Sequence, residues 1–336
     1  MAASRGIKRI VRRILEEMRA TVKIASVTSV TGAAATLLAK VDIQRMNRNG
    51  FLEPPAVRRR LEKKHEVMLK YFEKEFAEFT DAYDYDRLLP QGDPELRDRI
   101  WVCWWQGLEN APALVQKCIA SIQRNAGPYK VTVITEENYR EFVSIPSWIQ
   151  ERSRAGKISL THYSDILRTS LLAEHGGIWL DATFFCCGLS QECFDSPLWS
   201  VKRPDYLHGS VASGYFATYA FSCNYENRWI FAIIRDFLLL YWEKNDILID
   251  YLFLDYLIVL AQRKDPRIAQ IFEAIEPNNP NCDELSKLLG EPFDEARWNR
   301  IREGTYLFKL TWKQAFPLQK NGQETFYAKL LSGALD

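Results

Sequence analysis

The sequence lacks the features that mark several large classes of protein. Charge of neither sign dominates, since 44 Lys and Arg residues face 43 Asp and Glu residues and the net charge is +1. A broadly basic nucleic-acid-binding surface is therefore not expected. There is no internal repeat and no low-complexity tract, which argues against a repeat architecture. The uncharged run at residues 24–39 is short for a membrane span and contains several Ser and Thr residues.

Cysteine is present without the patterns that give it a structural role. The seven cysteines form no C-x-x-C pair and no Cys/His cluster with zinc spacing. An odd count without such a framework favours a reducing compartment, so we expect free thiols and a cytoplasmic protein. The cysteines are Cys103, Cys118, Cys186, Cys187, Cys193, Cys223 and Cys282.

Apolar patterning divides the chain into three parts: a basic N-terminal extension (1–45), a helical linker region (46–95) and a main domain (96–325). Within the extension, apolar residues recur at helical spacing opposite a face of Arg and Lys. Such a helix can lie on an anionic membrane surface, here the inner face of the cell membrane. The alternatives are a helix that packs on its own domain or on a partner, and an oligomerisation element. The apolar positions are Ile7, Ile10, Val11, Ile14, Leu15 and Met18.

The main domain alternates between strand and helix patterns. This alternation predicts an α/β fold with a mostly parallel sheet flanked by helices, in which ligands bind beyond the carboxyl ends of strands. The predicted strands are 100–104, 130–135, 178–184, 215–221 and 305–311. The predicted helices are 56–79, 112–125, 160–175, 227–244 and 249–262, and a further helix starts in 136–142.

One stretch, Ser164 to Thr183, combines charged residues in a way that points to chemistry. Asp165 and Arg168 share a helix face, and Asp181 follows a short apolar strand at its carboxyl end. Carboxylates and a guanidinium so placed can hold the diphosphate and ribose of a sugar nucleotide. The alternative is a structural Asp165–Arg168 pair with Asp181 capping the next turn. The first reading predicts a glycosyltransferase.

The same stretch resembles a known family. His162-Tyr163-Ser164-Asp165-Ile166-Leu167-Arg168 and Gly176-Gly177-Ile178-Trp179-Leu180-Asp181-Ala182-Thr183 resemble the DXD-containing transferases of glycosyltransferase family 32, and more closely the capsular-polysaccharide-synthesis proteins. Trp105-Gln106-Gly107, Ile249-Asp250-Tyr251 and Lys309-Leu310-Thr311-Trp312-Lys313 extend the resemblance over most of residues 98–315. It implies a GT-A-like (Rossmann-like) fold, to which the apolar spacing adds a helical N-terminal extension. It further implies a nucleotide-diphosphate-sugar donor such as a UDP-sugar, a divalent Mn²⁺ or Mg²⁺, and retention of configuration.

The resemblance also implies roles for individual residues. Asp165, Arg168, Asp181 and Asp250 form the predicted catalytic set. From the sequence itself, Asp250 and Asp255 lie in a predicted helix rich in Leu and Tyr and are the candidate carboxylates for acceptor or sugar contact; the alternative is helix capping or an exposed helix face. Asp181 and Thr183 are the predicted metal ligands, although Thr183 replaces the second acid of the DXD pattern and is a weaker ligand. The predicted nucleotide-sugar-binding residues are Trp105, Gln106, Gly107, Ser164, Gly177, Thr183, Lys309 and Lys313. Of the neighbouring tryptophans, Trp101 and Trp104 are expected in the core and Trp105 at the site.

The sequence thus predicts a retaining hexosyltransferase that acts on a glycan acceptor in capsule or surface polysaccharide synthesis. A lipid-linked acceptor would explain the basic amphipathic extension. Two rivals stay open: a non-catalytic membrane adaptor with a decayed transferase fold, and a sugar-phosphate transferase, which needs further acidic metal ligands. The oligomeric state is also open.

Overall fold

The computed structural model describes the backbone of residues 2–336 and the side chains of residues 14–336. The α-helices of this part are α1 (Ala2–Val27), α2 (Val30–Arg48), α3 (Pro55–Glu75), α4 (Ala77–Ala82), α5 (Ala113–Arg124), α6 (Ser147–Arg154), α7 (Leu160–His175), α8 (Glu192–Asp195), α9 (Trp229–Lys244), α10 (Phe253–Lys264), α11 (Pro266–Glu273), α12 (Glu284–Leu288), α13 (Glu295–Arg302) and α14 (Phe326–Ser332). Its strands are β1 (Ile100–Cys103), β2 (Val131–Ile134), β3 (Gly177–Leu180), β4 (Phe184–Cys186), β5 (Leu198–Ser200), β6 (Ala220–Cys223), β7 (Leu307–Lys309), β8 (Gln319–Lys320) and β9 (Gln323–Glu324).

A five-stranded sheet forms the centre of the fold, in the order β2-β1-β3-β6-β5. Strands β2, β1 and β3 are parallel neighbours, and β6 runs antiparallel to both β3 and β5. Four of the five strands therefore point the same way. Alternate residues of β1 enter different cores, since Trp101 packs with α7 and α9 while Ile100 and Val102 pack with α5. The predicted mixed α/β fold with a mostly parallel sheet between helices is confirmed.

The predicted strand 178–184 is wrong in its second half. The backbone N–H of Asp181 still donates to Tyr219, at 3.0 Å, but Asp181–Thr183 then form a turn closed by the Phe184 N–H on the Asp181 carbonyl. The chain leaves the central sheet at this turn, and β4 pairs instead with β7 in a separate two-stranded sheet. The turn places Asp181 and Thr183 between the two sheets.

Five other predicted elements differ from the structure. The helix expected at 56–79 ends at Glu75, and the strand expected at 305–311 covers only Leu307–Lys309. The helix expected from 136–142 is only a 3-10 turn at Tyr139–Glu141, because the Asn138 side chain accepts from the Thr135 N–H in a local turn. The strand expected at 215–221 begins only at Ala220, after a turn in which the Ala220 N–H donates to Ala217. The helix expected from residue 249 begins at Phe253, since the Tyr241 hydroxyl holds residues 247–249 in a non-helical loop.

The N-terminal helices form an antiparallel hairpin that rests on α3. Ser29 caps α2 by accepting from the Gly32 N–H, and an ion pair of 2.6 Å between Glu17 and Lys40 joins the two helices. Helix α3 packs its Phe72 into the same core as α7 and α9. The predicted helical extension is present, and the division at residues 45 and 95 stays a prediction. The side chains of Ile7, Ile10 and Val11 lie outside the described residues.

Two further expectations concern cysteines and membrane spans. All seven cysteines carry free thiols. Within the described backbone, no helix combines the length and the apolar character needed to cross a bilayer.

Candidate active site

Helix α7 and strand β3 bring the predicted charged residues together. Ser159 caps the start of α7, and Gly176 ends it with a φ of +68°, a left-handed conformation that favours glycine. The chain then reverses into β3. The eight helical residues from Arg168 to His175 rise about 10.5 Å, and the four residue steps of the extended chain from Gly177 to Asp181 span about 13 Å. Arg168 and Asp181 therefore lie at the same level, at the carboxyl end of β3.

Arg168 is the centre of the resulting cluster. Its guanidinium lies 3.4 Å from Asp165 and 3.6 Å from Asp181, and it also donates to the backbone carbonyl of Thr218. Its remaining nitrogen, Nε, is buried, and no group among the described residues accepts a hydrogen bond from it. On the far side of Asp165, the His162 ring lies 3.2 Å from the carboxylate. The predicted Asp165–Arg168–Asp181 constellation is thus one continuous network.

Asp181 is the most accessible carboxylate of this network, with 28% of its side chain exposed against 10% for Asp165. Its oxygens accept from the indole N–H of Trp179 at 3.1 Å and from the Lys309 ammonium at 2.7 Å. Burial alone raises the pKa of Asp181, but the charges of Lys309 and Arg168 and these two hydrogen bonds outweigh it and bring the pKa below its usual range. Asp181 is therefore ionised at neutral pH.

Lys309 joins the site from a distant part of the sequence. Strand β7 pairs with β4 so that Lys309 lies opposite Phe184, and the Lys309 ammonium donates to the Thr183 hydroxyl at 2.8 Å as well as to Asp181. The rings of Phe184 and Tyr219 lie 5.3 and 5.2 Å from this ammonium. The predicted pair Asp181 and Thr183 is thus brought together, with Lys309 between its oxygens.

These contacts decide how well a divalent cation fits. Such cations take about six or more oxygen ligands and favour carboxylates. Here one carboxylate oxygen and one hydroxyl face the position, and both bind the Lys309 ammonium. Among the described residues there is no group of three or more His, Cys, Asp or Glu side chains suited to hold a metal. The donor set does not fit a divalent cation in this arrangement.

The three neighbouring tryptophans differ in their burial and in the rings they contact. Trp101 is fully buried, as predicted, and its indole donates to the Gly176 carbonyl. The prediction that Trp104 lies in the core is wrong: it follows the end of β1 and is only half-buried, with its ring 5.7 Å from the exposed Trp312 of the segment after β7. Trp105 is half-buried against Tyr139 and Tyr163. Trp104 and Trp105 both follow the carboxyl end of β1, next to β3 in the sheet.

The other predicted binding residues lie on the same elements. Gln106 is exposed after β1, and Gly107 adopts a φ of +86° in the turn that follows. Ser164 is half-buried on α7, directly before Asp165. Gly177 also has a φ of +86°, and a Cβ there would overlap the backbone carbonyl of Arg99. Lys313 is exposed beyond β7, four residues after Lys309.

Asp250 is also predicted to be catalytic, but its ion pairs lie outside the Asp165–Arg168–Asp181 network. It is buried in ion pairs with Lys64 of α3, at 2.9 Å, and Lys40 of α2, at 4.0 Å. Burial raises its pKa, and these two lysines more than offset that effect, so the pKa lies below its usual range. The neighbouring Tyr251 is exposed instead, with its ring 5.6 Å from His162. Asp250 therefore ties the N-terminal helices to the loop that carries Tyr251.

Asp255, in the first turn of α10, lies between these two groups of charges. Its carboxyl accepts a hydrogen bond from Ser210. Burial raises the pKa of Asp255 to about 7, and the charges of Asp165 and Asp250 add to the rise. This carboxyl can therefore hold a proton at neutral pH close to the Asp165 end of the network.

Three residues that contact or border the charged network were given little or no role by the sequence analysis. Trp179 donates to Asp181, and its position two residues earlier on the same strand face was a usable signal. For Tyr251 the only signal in the sequence was its place beside Asp250 in the resembling segment. His162 received no role beyond its place in the resembling segment, and its spacing of three from Asp165 on α7 was the signal for their contact.

Comparisons with known proteins agree with the sequence resemblance. Residues 48–330 match the family model described as capsular polysaccharide synthesis protein. A curated protein of Aspergillus fumigatus, Glycosyltransferase afumC, is 31% identical over 120 residues, which covers 31% of this chain and only 30% of that protein. A solved structure, the PaToxG Glycosyltransferase, is 16% identical with a TM-score of 0.35, covering 62% of this chain and 85% of that one. The resemblance to capsular-polysaccharide-synthesis proteins is confirmed, and that to family 32 stays a prediction.

Proposed function

Because this chain belongs to the capsular polysaccharide synthesis protein family, we propose that it is a glycosyltransferase that takes a hexose from a nucleotide-diphosphate sugar. The observation that carries the proposal is the network Asp165–Arg168–Asp181–Lys309 at the carboxyl end of β3. In α/β sheets this edge is where ligands bind. The donor we propose first is a UDP-sugar.

The charges of the network suit such a donor. Its diphosphate gains negative charge as the sugar leaves, and positioned cationic groups stabilise that charge. Lys309, with 22% of its side chain exposed, is within reach of a ligand, and Lys313 lies on the same segment. The accessible carboxylate of Asp181 can accept hydrogen bonds from ribose or sugar hydroxyls. Asp165 holds Arg168 in place from the buried side.

We propose that the reaction retains the configuration at the anomeric carbon. The bond from the anomeric carbon to the phosphate oxygen breaks, and its electron pair stays with the phosphate. The acceptor oxygen then bonds to the same face of the sugar, and its proton passes to a phosphate oxygen. This route needs no side chain as base, in keeping with the ion-paired state of Asp165 and Asp181.

We propose a lipid-linked acceptor in surface polysaccharide synthesis, reached from the inner face of the cell membrane. Helix α1 exposes Met18 and Val22, and helix α2 exposes Leu38, each by 60% or more, although both helices also have a buried face. Exposed Arg19 and Arg45 lie on the same two helices. Apolar side chains flanked by arginines are what an anionic bilayer surface binds.

The test is the binding of a panel of nucleotide sugars, read as a shift in unfolding temperature. A donor at a hundredfold excess over its Kd stabilises the folded state by about 2.7 kcal/mol, enough for a shift of several degrees. We expect one donor to stabilise the wild type and Asp181→Ala to lose that shift, while Asp195→Ala, an exposed carboxylate on α8, keeps it. Turnover of that donor to a glycoside completes the case.

The adaptor alternative predicts the opposite pattern. If no donor shifts the unfolding temperature, and Asp181→Ala supports polysaccharide synthesis in cells as well as the wild type does, the transferase proposal fails. The intact contacts of Asp181 with Arg168, Trp179 and Lys309 favour the transferase, because a decayed site has no need for them.

A further inference from the structure

The Lys309 ammonium occupies the position at which the sequence predicts a metal ion. Its ammonium lies 2.7 Å from the Asp181 carboxylate and 2.8 Å from the Thr183 hydroxyl, the two groups predicted to bind a metal. The backbone fixes this placement on both sides, since the Lys309 N–H donates to Cys282 and the Leu310 N–H donates to Thr183, at 2.8 and 2.9 Å. The ammonium is therefore built into the site by strand pairing.

We propose that the Lys309 ammonium supplies the positive charge that a divalent cation supplies in transferases with an acidic pair, so that sugar transfer by this chain requires no metal. The inference rests on the proposed function. It gives Lys309 a catalytic role, contact with the leaving diphosphate, and it explains the Asp-Ala-Thr sequence at 181–183. A single carboxylate balances one ammonium, whereas two carboxylates would be needed to balance a dication.

The charges around the position support this role. Two carboxylates, Asp165 and Asp181, face two cations, Arg168 and Lys309, so the cluster is already neutral. A divalent ion placed against Asp181 would meet the adjacent ammonium and be repelled. A hydroxyl in place of a second acid leaves nothing to offset that repulsion.

The ammonium also has a donor to spare. It carries three N–H groups, of which Asp181 and Thr183 accept two. The third is available to a phosphate oxygen of the donor. As the bond between the anomeric carbon and the phosphate oxygen breaks, Lys309 stays protonated and its charge stabilises the electron pair that the phosphate keeps.

The experiment measures donor turnover by EDTA-dialysed protein, with and without added Mn²⁺. We expect wild-type turnover to change by less than twofold, and Lys309→Met to lose about 100-fold or more, as enzymes do when one charge-stabilising donor is removed. Lys309→Arg, which keeps the charge, retains part of the activity. The matched control is Lys320→Met, an exposed lysine of β8 that pairs with Glu291.

A double variant makes the test reciprocal. Thr183→Asp combined with Lys309→Met restores an acidic pair without the ammonium, and we expect it to bind Mn²⁺ and to gain Mn²⁺-dependent turnover. Binding of Mn²⁺ is measured directly by electron paramagnetic resonance. Circular dichroism establishes that each variant is folded, and if Lys309→Met alone fails to fold, Lys309→Gln replaces it.

The outcomes separate the two proposals. Loss of wild-type turnover in EDTA with recovery in Mn²⁺, or full turnover by folded Lys309→Met, overturns the role of Lys309. If no nucleotide sugar is bound or turned over under any condition, the proposed function fails. The measurement of Mn²⁺ binding by electron paramagnetic resonance then still tests whether Lys309 takes the place of a metal. Tight Mn²⁺ binding by the wild type then overturns the inference, and binding confined to the double variant supports it.

Discussion

Replacing Lys64 with Met should destabilise this protein far more than the same change at the surface. Lys64 has 1% of its side chain exposed, and its ammonium lies 2.9 Å from the carboxylate of Asp250, of which 4% is exposed. Removing one member of a buried pair leaves the other charge without compensation, at a cost of about 3–5 kcal/mol. Lys40 stays 4.0 Å from the same carboxylate, so we expect about 3 kcal/mol, the lower end of that range.

The assay is urea denaturation followed by tryptophan fluorescence and circular dichroism, for Lys64→Met, Asp250→Asn and the double variant. We expect the double variant to be less destabilised than the sum of the two single variants, with a coupling of about 1–3 kcal/mol, because neither buried charge is then left alone. The matched control is Lys70→Met, an exposed lysine on the same helix, which should change the free energy of unfolding by about 0.5 kcal/mol or less. Equal losses for Lys64→Met and Lys70→Met, or a coupling of zero, would refute this reasoning.

Three other features give measurable predictions. Gly177→Ala should cost more than about 2 kcal/mol in the free energy of unfolding, because the residue has a positive φ and a Cβ would overlap a backbone carbonyl. Gly127→Ala, at a φ of +59° in open space, should cost about 1 kcal/mol, and equal losses would contradict the clash. Asp255 has a pKa of about 7 in the folded protein, so between about pH 4 and 7 the folded protein holds its proton while the unfolded chain has released it. The free energy of unfolding therefore falls as pH rises through this range, by at most about 1.4 kcal/mol per pH unit. Asp255→Asn should remove that slope from urea midpoints measured from pH 5 to 7.5, and an unchanged slope would show another group to be responsible. Leu38→Ser should weaken sedimentation with anionic vesicles about tenfold, whereas Leu88→Ser should not, because Leu88 is even more exposed but lies outside the N-terminal hairpin. Identical binding by the two variants would exclude α2 from the membrane contact.

The parts of the site that the sequence predicts correctly depend on local signals. Helix α7 spans the predicted residues 160–175 because Ser159 and Gly176 mark its two ends. The meeting of Arg168 with Asp181 follows from the lengths of α7 and β3, both of which are readable from the pattern. Residues within about 25 positions of one another therefore take up the predicted arrangement.

The rest depends on contacts between distant segments. Lys309 was expected near the diphosphate, but its contact with Thr183 arises from the pairing of β4 with β7, which no local pattern encodes. The contacts of Asp250 depend on where helix α10 begins. A helix running from residue 249 would have carried Asp250 on its first turn, but the Tyr241 hydroxyl binds the loop, and the carboxylate turns to two lysines of the N-terminal helices.

The ion pairs of Asp250 have a consequence for where this protein can be cut. A chain trimmed to the predicted catalytic part, residues 96–325, would lose Lys40 and Lys64, the two cations that pair with Asp250, and would uncover the apolar core on which Phe72 of α3 packs. We therefore expect a piece that keeps the stability of the whole chain to begin upstream of Lys40, well ahead of β1. Grafting the hairpin of α1 and α2 onto another transferase would likewise require an acid at the position of Asp250, to pair with Lys40. The hairpin and the loop that carries Asp250 should therefore be exchanged together.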